Sequence, residues 1–118
     1  MSIRSKKNQK DLSNLILQYE ENATIHGKAT LDGGYVIGNK AFDKMEELFI
    51  LIEELDAPQF NNFSELLKDE NVTVVTASAS KLLRTAKHNE AVEALYNIIE
   101  KDSSILSFNA EMVLKELA

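Results

Sequence analysis

The apolar positions of this chain recur at helical spacing almost throughout its length. A first helix is predicted from Asp11, as its cap, to residues 32–34, where two glycines follow Asp32. A second is predicted from Asn39, as its cap, to about Asp56. Between them, residues 35–37 (Tyr-Val-Ile) are flanked by glycines, which predicts a flexible elbow with an exposed apolar tripeptide.

Four shorter helices are predicted in the second half of the chain. The third follows Pro58, which is placed to open it, and the fourth follows two possible caps, Asp69 and Asn71. The fourth extends to about residue 86, and turns at residues 87–89 and 102–104 precede the fifth and sixth helices. No alternating run predicts a strand, so the pattern indicates an all-α fold.

An internal repeat appears when the second half is compared with itself at an offset of 33 residues. Three of the matched positions are identical and four keep their apolar or aromatic character. The pairs are Phe63–Tyr96, Leu66–Ile99, Lys68–Lys101, Asp69–Asp102, Val72–Ile105, Val75–Phe108 and Ala77–Ala110. Each unit is a predicted helical hairpin with a Lys-Asp turn. Such a hairpin cannot bury both faces alone, so hairpins are expected to stack.

The turn pattern resembles the HEAT repeat, in which an aspartate in the turn precedes a second helix with spaced valines. Thr76 and Asn109 stand where many HEAT repeats carry arginine, so the usual Asp–Arg ladder is missing. The resemblance implies a short right-handed α-α superhelix, HEAT/ARM-like, of about six helices in three antiparallel pairs. The predicted organisation is one domain over residues 1–118. It comprises a basic, disordered N-terminus (1–10), a capping helix pair (11–56) and two hairpins (59–87 and 89–117).

The chain also resembles an uncharacterised family of small bacterial helical proteins. The similarity lies in residues 39–45 (Asn-Lys-Ala-Phe-Asp-Lys-Met), residues 66–69 (Leu-Leu-Lys-Asp) with Val72 and Val75, and residues 110–114 (Ala-Glu-Met-Val-Leu) with Leu117. Relatives of that kind are often found beside polymorphic toxin genes, which implies an immunity role for some members. These motifs are mostly core and turn positions, so they specify a fold more than a function.

The distribution of basic and acidic residues along the chain indicates which class of macromolecule it binds. The formal net charge is −6, but the first ten residues carry four basic groups and no acid. The other 108 residues therefore hold 9 basic and 19 acidic groups, a balance of −10. A body this acidic repels phosphate backbones, which argues against nucleic-acid binding, and attracts a basic protein. The alternative, that acidity serves only solubility, stays open at this point.

Catalytic and metal chemistry is not indicated by the sequence. Cysteine is absent, and neither His26 nor His88 has a carboxylate at metal-ligand spacing. Ser78 and Lys81 match an acyl-serine pattern formally, without its companion motifs. We therefore expect no enzyme activity, no cofactor and no metal. No apolar run approaches a membrane span and no signal-peptide core is present, which predicts a cytoplasmic protein without membrane contact.

The second helix carries the most distinctive surface pattern. Its predicted apolar stripe is formed by Ala41, Met45, Leu48, Ile52 and Leu55. The opposite side collects five carboxylates, those of Asp43, Glu46, Glu47, Glu53 and Glu54. Ile50 falls in the middle of them, and an apolar residue ringed by charges is typical of a binding patch. Two interpretations stay open, since Ile50 could equally be buried against the first helix or the elbow.

A second candidate surface is the small polar side of the fourth helix. It comprises Thr73, Thr76, Ser80 and Arg84, followed by Lys87. Second helices of stacked hairpins commonly line a concave protein-binding surface, although an ordinary exposed face explains the same pattern. Together these patterns predict an immunity protein that occludes the active site of a basic toxin domain, such as a nuclease, as a monomer or 1:1 heterodimer. The alternative is a structural or adaptor module with a non-toxin partner.

Overall fold

The computed structural model describes the backbone over residues 3–101 and 105–117, and the side chains over 10–101 and 106–116. Those residues form five α-helices and one 3₁₀ helix, without any strand, which confirms the all-α prediction. The elements are α1 (Ile3–Asp32), α2 (Tyr35–Asp56), the 3₁₀ helix η1 (Phe63–Lys68), α3 (Val72–Leu82), α4 (His88–Lys101) and α5 (Ile105–Leu117). The chain divides into two compact units, Met1–Ala57 and Pro58–Ala118.

The division between the units falls where the sequence predicts the end of the first helix pair. Helix α2 ends at Asp56, as predicted, and residues 57–59 form a turn. The first unit therefore holds the predicted capping pair and the second holds the predicted hairpins. That the two units act as one domain stays a prediction.

The first unit is a pair of long helices in contact, α1 and α2. They reverse at Gly33, whose φ of +78° is left-handed, and the Gly34 N–H donates to the Ala29 carbonyl at 2.9 Å. This is the bond pattern of a glycine-terminated helix. A Cβ added at Gly38 would lie 3.2 Å from the Cβ of Ala29, so the absence of a side chain permits the close approach of the two helices there.

Two predicted helix starts are wrong in this unit. Helix α1 begins at Ile3 rather than at Asp11, so the segment predicted to be disordered is helical from residue 3 onward. Residues 3–10 contain no proline or glycine and several strong helix formers, which lets the helix extend upstream. Helix α2 begins at Tyr35 with Gly34 as its cap, so Asn39 lies inside the helix and the predicted elbow is its first turn.

The buried side chains of α2 follow its predicted stripe closely, and they face buried residues of α1 within the first unit. The apolar ones are Leu12, Tyr19, Ala23 and Ala29 on α1, and Ala41, Met45, Leu48 and Ile52 on α2. Leu55, which the periodicity places in the buried stripe, is instead 39% exposed. It lies in the last turn of α2, one residue before the helix ends at Asp56.

In the second unit, α3 contacts η1, α4 and α5. The fully buried side chains of the second unit come from all four of its helices. They include Phe63, Val74, Ser78, Ala79, Leu82, Ala91, Leu95 and Ala110. Both predicted caps are used at the start of α3. The Asn71 side chain accepts from the Thr73 N–H at 2.9 Å, and Asp69 Oδ1 accepts from the Asn71 N–H at 2.8 Å.

The third predicted helix is shorter than expected and of a different kind. Pro58 does not open it, because Phe60 has a left-handed φ of 55° and the helix begins only at Phe63. The six residues that remain before Asp69 form a 3₁₀ helix. Helix α3 likewise ends at Leu82, before the predicted residue 86, and a turn over residues 83–87 leads to α4.

The 33-residue offset matches two helix boundaries but not the other two, and it does not match burial. Helices α3 and α5 begin at Val72 and Ile105, which are 33 residues apart, and η1 and α4 end at Lys68 and Lys101. By contrast, Phe63 is fully buried while its counterpart Tyr96 is 55% exposed. Asp69 and Asp102 were predicted to occupy equivalent turns, but Asp102 lies outside the described residues. The structural repeat and the right-handed superhelix stay predictions.

Candidate protein-binding surfaces

The predicted acidic face of α2 points away from the buried stripe of that helix. At about 100° per residue, Ile50 lies between Asp43 and Glu46 and nearly opposite Ile52. We use the name acidic face for the five carboxylates together with Ile50: Asp43, Glu46, Glu47, Ile50, Glu53 and Glu54. All of these side chains are exposed except Glu46, which is half-buried. The structure thus brings the predicted residues together on one side of a helix.

Ile50 itself is 60% exposed, whereas Ile52, two residues later, is 0% exposed. The interpretation that Ile50 is buried against the first helix or the predicted elbow is therefore wrong. Exposed apolar side chains are common on protein surfaces when they occur singly. The arrangement here is more specific, because the exposed isoleucine sits among side chains that would form a charged rim around it.

Glu46 differs from the other carboxylates because it also acts on the interior of the first unit. Burial raises the pKa of the Tyr19 phenol well above its usual range, and the negative charge of Glu46 raises it further. Tyr19 is 1% exposed and lies on α1. Charge changes that test binding are therefore better placed at Glu47 and Glu54, which are exposed.

Tyr19 should ionise in the folded protein only well above the usual tyrosine pKa of about 10, because burial and the negative charge of Glu46 both raise its pKa. The unfolded chain loses this proton first, so the stabilising contribution is complete below about pH 10 and is lost as the pH rises further. Phenolate absorbance measures this titration. The step at high pH should disappear in Tyr19→Phe, and ionisation of Tyr19 near the usual tyrosine pKa in the folded protein would contradict its burial.

The ion pair between Lys44 and Glu47 on the acidic face is weak. Lys44 Nζ lies 3.9 Å from Glu47 Oε2, and both side chains are largely exposed. Exposed pairs of this kind contribute roughly 0–1 kcal/mol and are screened by salt. Lys44 can therefore move aside at little cost, so Glu47 is available to a cation supplied by another protein.

The second predicted surface, on α3, is less accessible than the sequence suggested. Thr73, Thr76 and Ser80 are half-buried, and each hydroxyl already donates a hydrogen bond. Thr76 donates to the Val72 carbonyl at 2.9 Å and Ser80 to the Ala77 carbonyl at 2.6 Å. Arg84 is exposed but follows the end of α3, in the turn over residues 83–87. Thr73, Thr76 and Ser80 share one side of α3, and Arg84 lies beyond the end of that helix.

The residues considered for catalysis or metal binding are engaged in local contacts. Ser78 is fully buried and its hydroxyl donates to the Val74 carbonyl at 2.8 Å. The His26 ring lies 5.8 Å from that of Phe42, and His88 Nδ1 lies 2.6 Å from the Leu83 carbonyl oxygen. Over the part of the chain that the structure describes, no three His, Cys, Asp or Glu residues are grouped to hold a metal ion.

The first turn of α2 adds an apolar surface at the closed end of the helix pair. Tyr35, Val36 and Ile37 are 82%, 72% and 62% exposed. Their exposure agrees with the sequence prediction, although they belong to a helix rather than to a flexible elbow. On the helix surface Val36 lies on the same side as Asp43 and Ile50. It therefore extends the line of the acidic face toward the start of α2.

A groove in the second unit was not predicted. It encloses about 800 Å³ between η1 with the start of α3 on one side and α4 on the other. Its lining combines apolar, amide and charged side chains: Asn61, Ser64, Glu65, Leu67, Lys68, Asp69, Val72, Val75, Lys87, Glu90, Glu93, Ala94, Asn97, Ile98 and Lys101. We call it the η1–α4 groove. Pro58 and the polar residues 61–62 precede Phe63 in the sequence. They were the features from which a short third helix, unable to cover α4, could have been predicted.

Comparisons with protein families, with curated proteins and with solved structures find no match to this chain. Among the described residues, no helix is both long enough and apolar enough to cross a membrane.

Proposed function

We propose that this chain is a protein-binding module whose acidic face docks on a basic protein. In its most concrete form it is an immunity protein that covers the substrate groove of a toxin domain such as a nuclease. The observation that carries the proposal is the 60% exposure of Ile50 among exposed carboxylates. The mechanism is occlusion, and it requires no chemical step by this chain.

The two kinds of side chain on the acidic face would have different roles. Ile50 would be desolvated at the centre of the contact, where burial of apolar surface contributes most to affinity. Asp43, Glu47 and Glu54 would form a rim whose charge accelerates encounter with a basic surface and selects against acidic partners. The balance of −10 outside the first ten residues acts in the same direction.

A nuclease groove is a suitable target because it is built to bind phosphate. Carboxylates in a row along one side of a helix present negative charge to the same basic side chains. The immunity role, as distinct from protein binding in general, is supported by the resemblance to small bacterial proteins found beside toxin genes. An adaptor module would use the same face without inhibiting its partner.

The proposal predicts that a basic domain is encoded beside this gene, and it is tested with that domain in purified form. We expect a 1:1 complex by calorimetry and loss of that domain's catalytic activity upon binding. Glu47→Lys with Glu54→Lys should weaken binding by about tenfold or more, chiefly by slowing association. Glu111→Lys with Glu116→Lys, an equal charge change at exposed positions of α5, is the control and should have a much smaller effect.

Binding without inhibition would favour an adaptor over an immunity protein. Equal weakening by the two charge reversals would mean that only net charge matters, and the acidic face would then be no specific site. An unrelated basic protein of similar charge serves to measure that nonspecific component.

A further inference from the structure

The η1–α4 groove exists because its two walls differ in length. Six residues of 3₁₀ helix span roughly 12 Å, whereas the 14 residues of α4 span roughly 21 Å. The shorter wall leaves part of α4 uncovered. Ala94, near the middle of α4, has too small a side chain to fill the space, and about 800 Å³ stays open. This volume lies within the range of about 300–1,000 Å³ typical of binding sites.

The groove offers apolar contact at its base and amide groups along its walls. The apolar lining consists of Leu67, Val72, Val75, Ala94 and Ile98. Asn61 lies on the η1 side and Asn97 on α4, and both are exposed. A carboxamide carries both donors and an acceptor, so it can pair with the N–H and C=O of a peptide group. A helical ligand has few such groups free, whereas an extended chain presents them along its length.

The charged side chains of the groove determine how far apart the complementary charges of a bound ligand must lie. Lys68 pairs with Glu65 at 3.5 Å and Lys87 with Glu90 at 3.7 Å, which largely cancels those four charges. Among the described residues, three further charged groups of the lining have no ion-pair partner, and one of them, Asp69, already accepts a hydrogen bond from the Asn71 N–H. The other two are Glu93 and Lys101. They are eight residues apart on α4, which corresponds to roughly 12 Å along the helix axis. An extended chain covers that distance in about four residues.

We propose that the η1–α4 groove binds an extended peptide segment of a partner protein, with a basic and an acidic side chain about four residues apart. The basic side chain pairs with Glu93 and the acidic one with Lys101. Asn61 and Asn97 hydrogen-bond the peptide backbone, and an apolar side chain between the charges contacts Ala94 and Ile98. This site belongs to the second unit and does not depend on the acidic face of α2.

The test uses a library of random 12-residue peptides displayed on phage and selected against the full chain. Ala94→Trp, which fills the groove, is used for counter-selection. The enriched peptides should share opposite charges about four positions apart. They should bind at least tenfold more weakly to Ala94→Trp and severalfold more weakly to Glu93→Lys and to Lys101→Glu. The double variant carrying both changes should prefer a peptide with its two charges exchanged.

Several results would overturn the proposal. These are a library that yields no binder, peptides that bind Ala94→Trp as tightly as the original chain, or a double variant without the exchanged preference. If Ala94→Trp does not fold, Asn61→Ala with Asn97→Ala replaces it, and unchanged peptide binding there would contradict the backbone contacts. Glu47→Lys with Glu54→Lys should leave peptide binding unaltered, so failure of this site is distinguishable from failure of the acidic face.

Discussion

Replacing Ile52 by alanine should lower the free energy of unfolding by about 2–5 kcal/mol, which is the usual range for truncating a buried isoleucine. The same replacement at Ile50 should change it by no more than about 0.5 kcal/mol, as is usual for exposed positions. The two residues are identical in chemistry and lie on the same helix. They differ in exposure, which is 0% for Ile52 and 60% for Ile50.

The comparison is made by urea denaturation followed by helical circular dichroism. Both variants replace isoleucine by alanine in a helix, so their change in intrinsic helix propensity is the same and cancels. Equal losses of stability at the two positions would mean that Ile50 is packed, and the acidic face would then have no apolar centre. Little loss at Ile52 would contradict the burial of the stripe on α2.

Periodicity was sufficient to predict which side of α2 is buried. Met45, Leu48 and Ile52 recur at helical spacing, and burial of that stripe follows from the α1–α2 packing. Helix ends were harder to predict, because Asp11 and Asn39 are good caps in isolation. A segment before Asp11 without proline or glycine, and the close approach of Gly38 to Ala29, overrode those local preferences.

The acidic face could be predicted from the sequence, whereas the η1–α4 groove could not. The acidic face lies within one helix, so the spacing of Asp43, Glu47 and Ile50 fixed their common side directly. The η1–α4 groove joins residues about 30 positions apart, such as Ser64 and Ala94. Its volume depends on η1 being a short 3₁₀ helix, and hydrophobic spacing alone does not distinguish that from one more α-helix.

Ile50→Asp should weaken binding to the cognate basic protein by about 30-fold or more, which corresponds to about 2 kcal/mol and to a typical hot spot. The new carboxylate would be placed in a contact from which water is excluded, and burying it unpaired is costly. The change should act mainly on the dissociation rate, because contacts at the centre of an interface determine how long a complex lasts. Association should change little, since the face is already acidic.

The most direct test of the acidic face is the dissociation rate of Ile50→Asp from the purified basic domain, measured by surface plasmon resonance. The variant should keep its helical circular dichroism and dissociate about 30-fold faster or more. The control Glu111→Lys with Glu116→Lys should dissociate at the original rate. A folded Ile50→Asp protein that dissociates as slowly as the unaltered chain would contradict the proposal that Ile50 is the anchor of the interface.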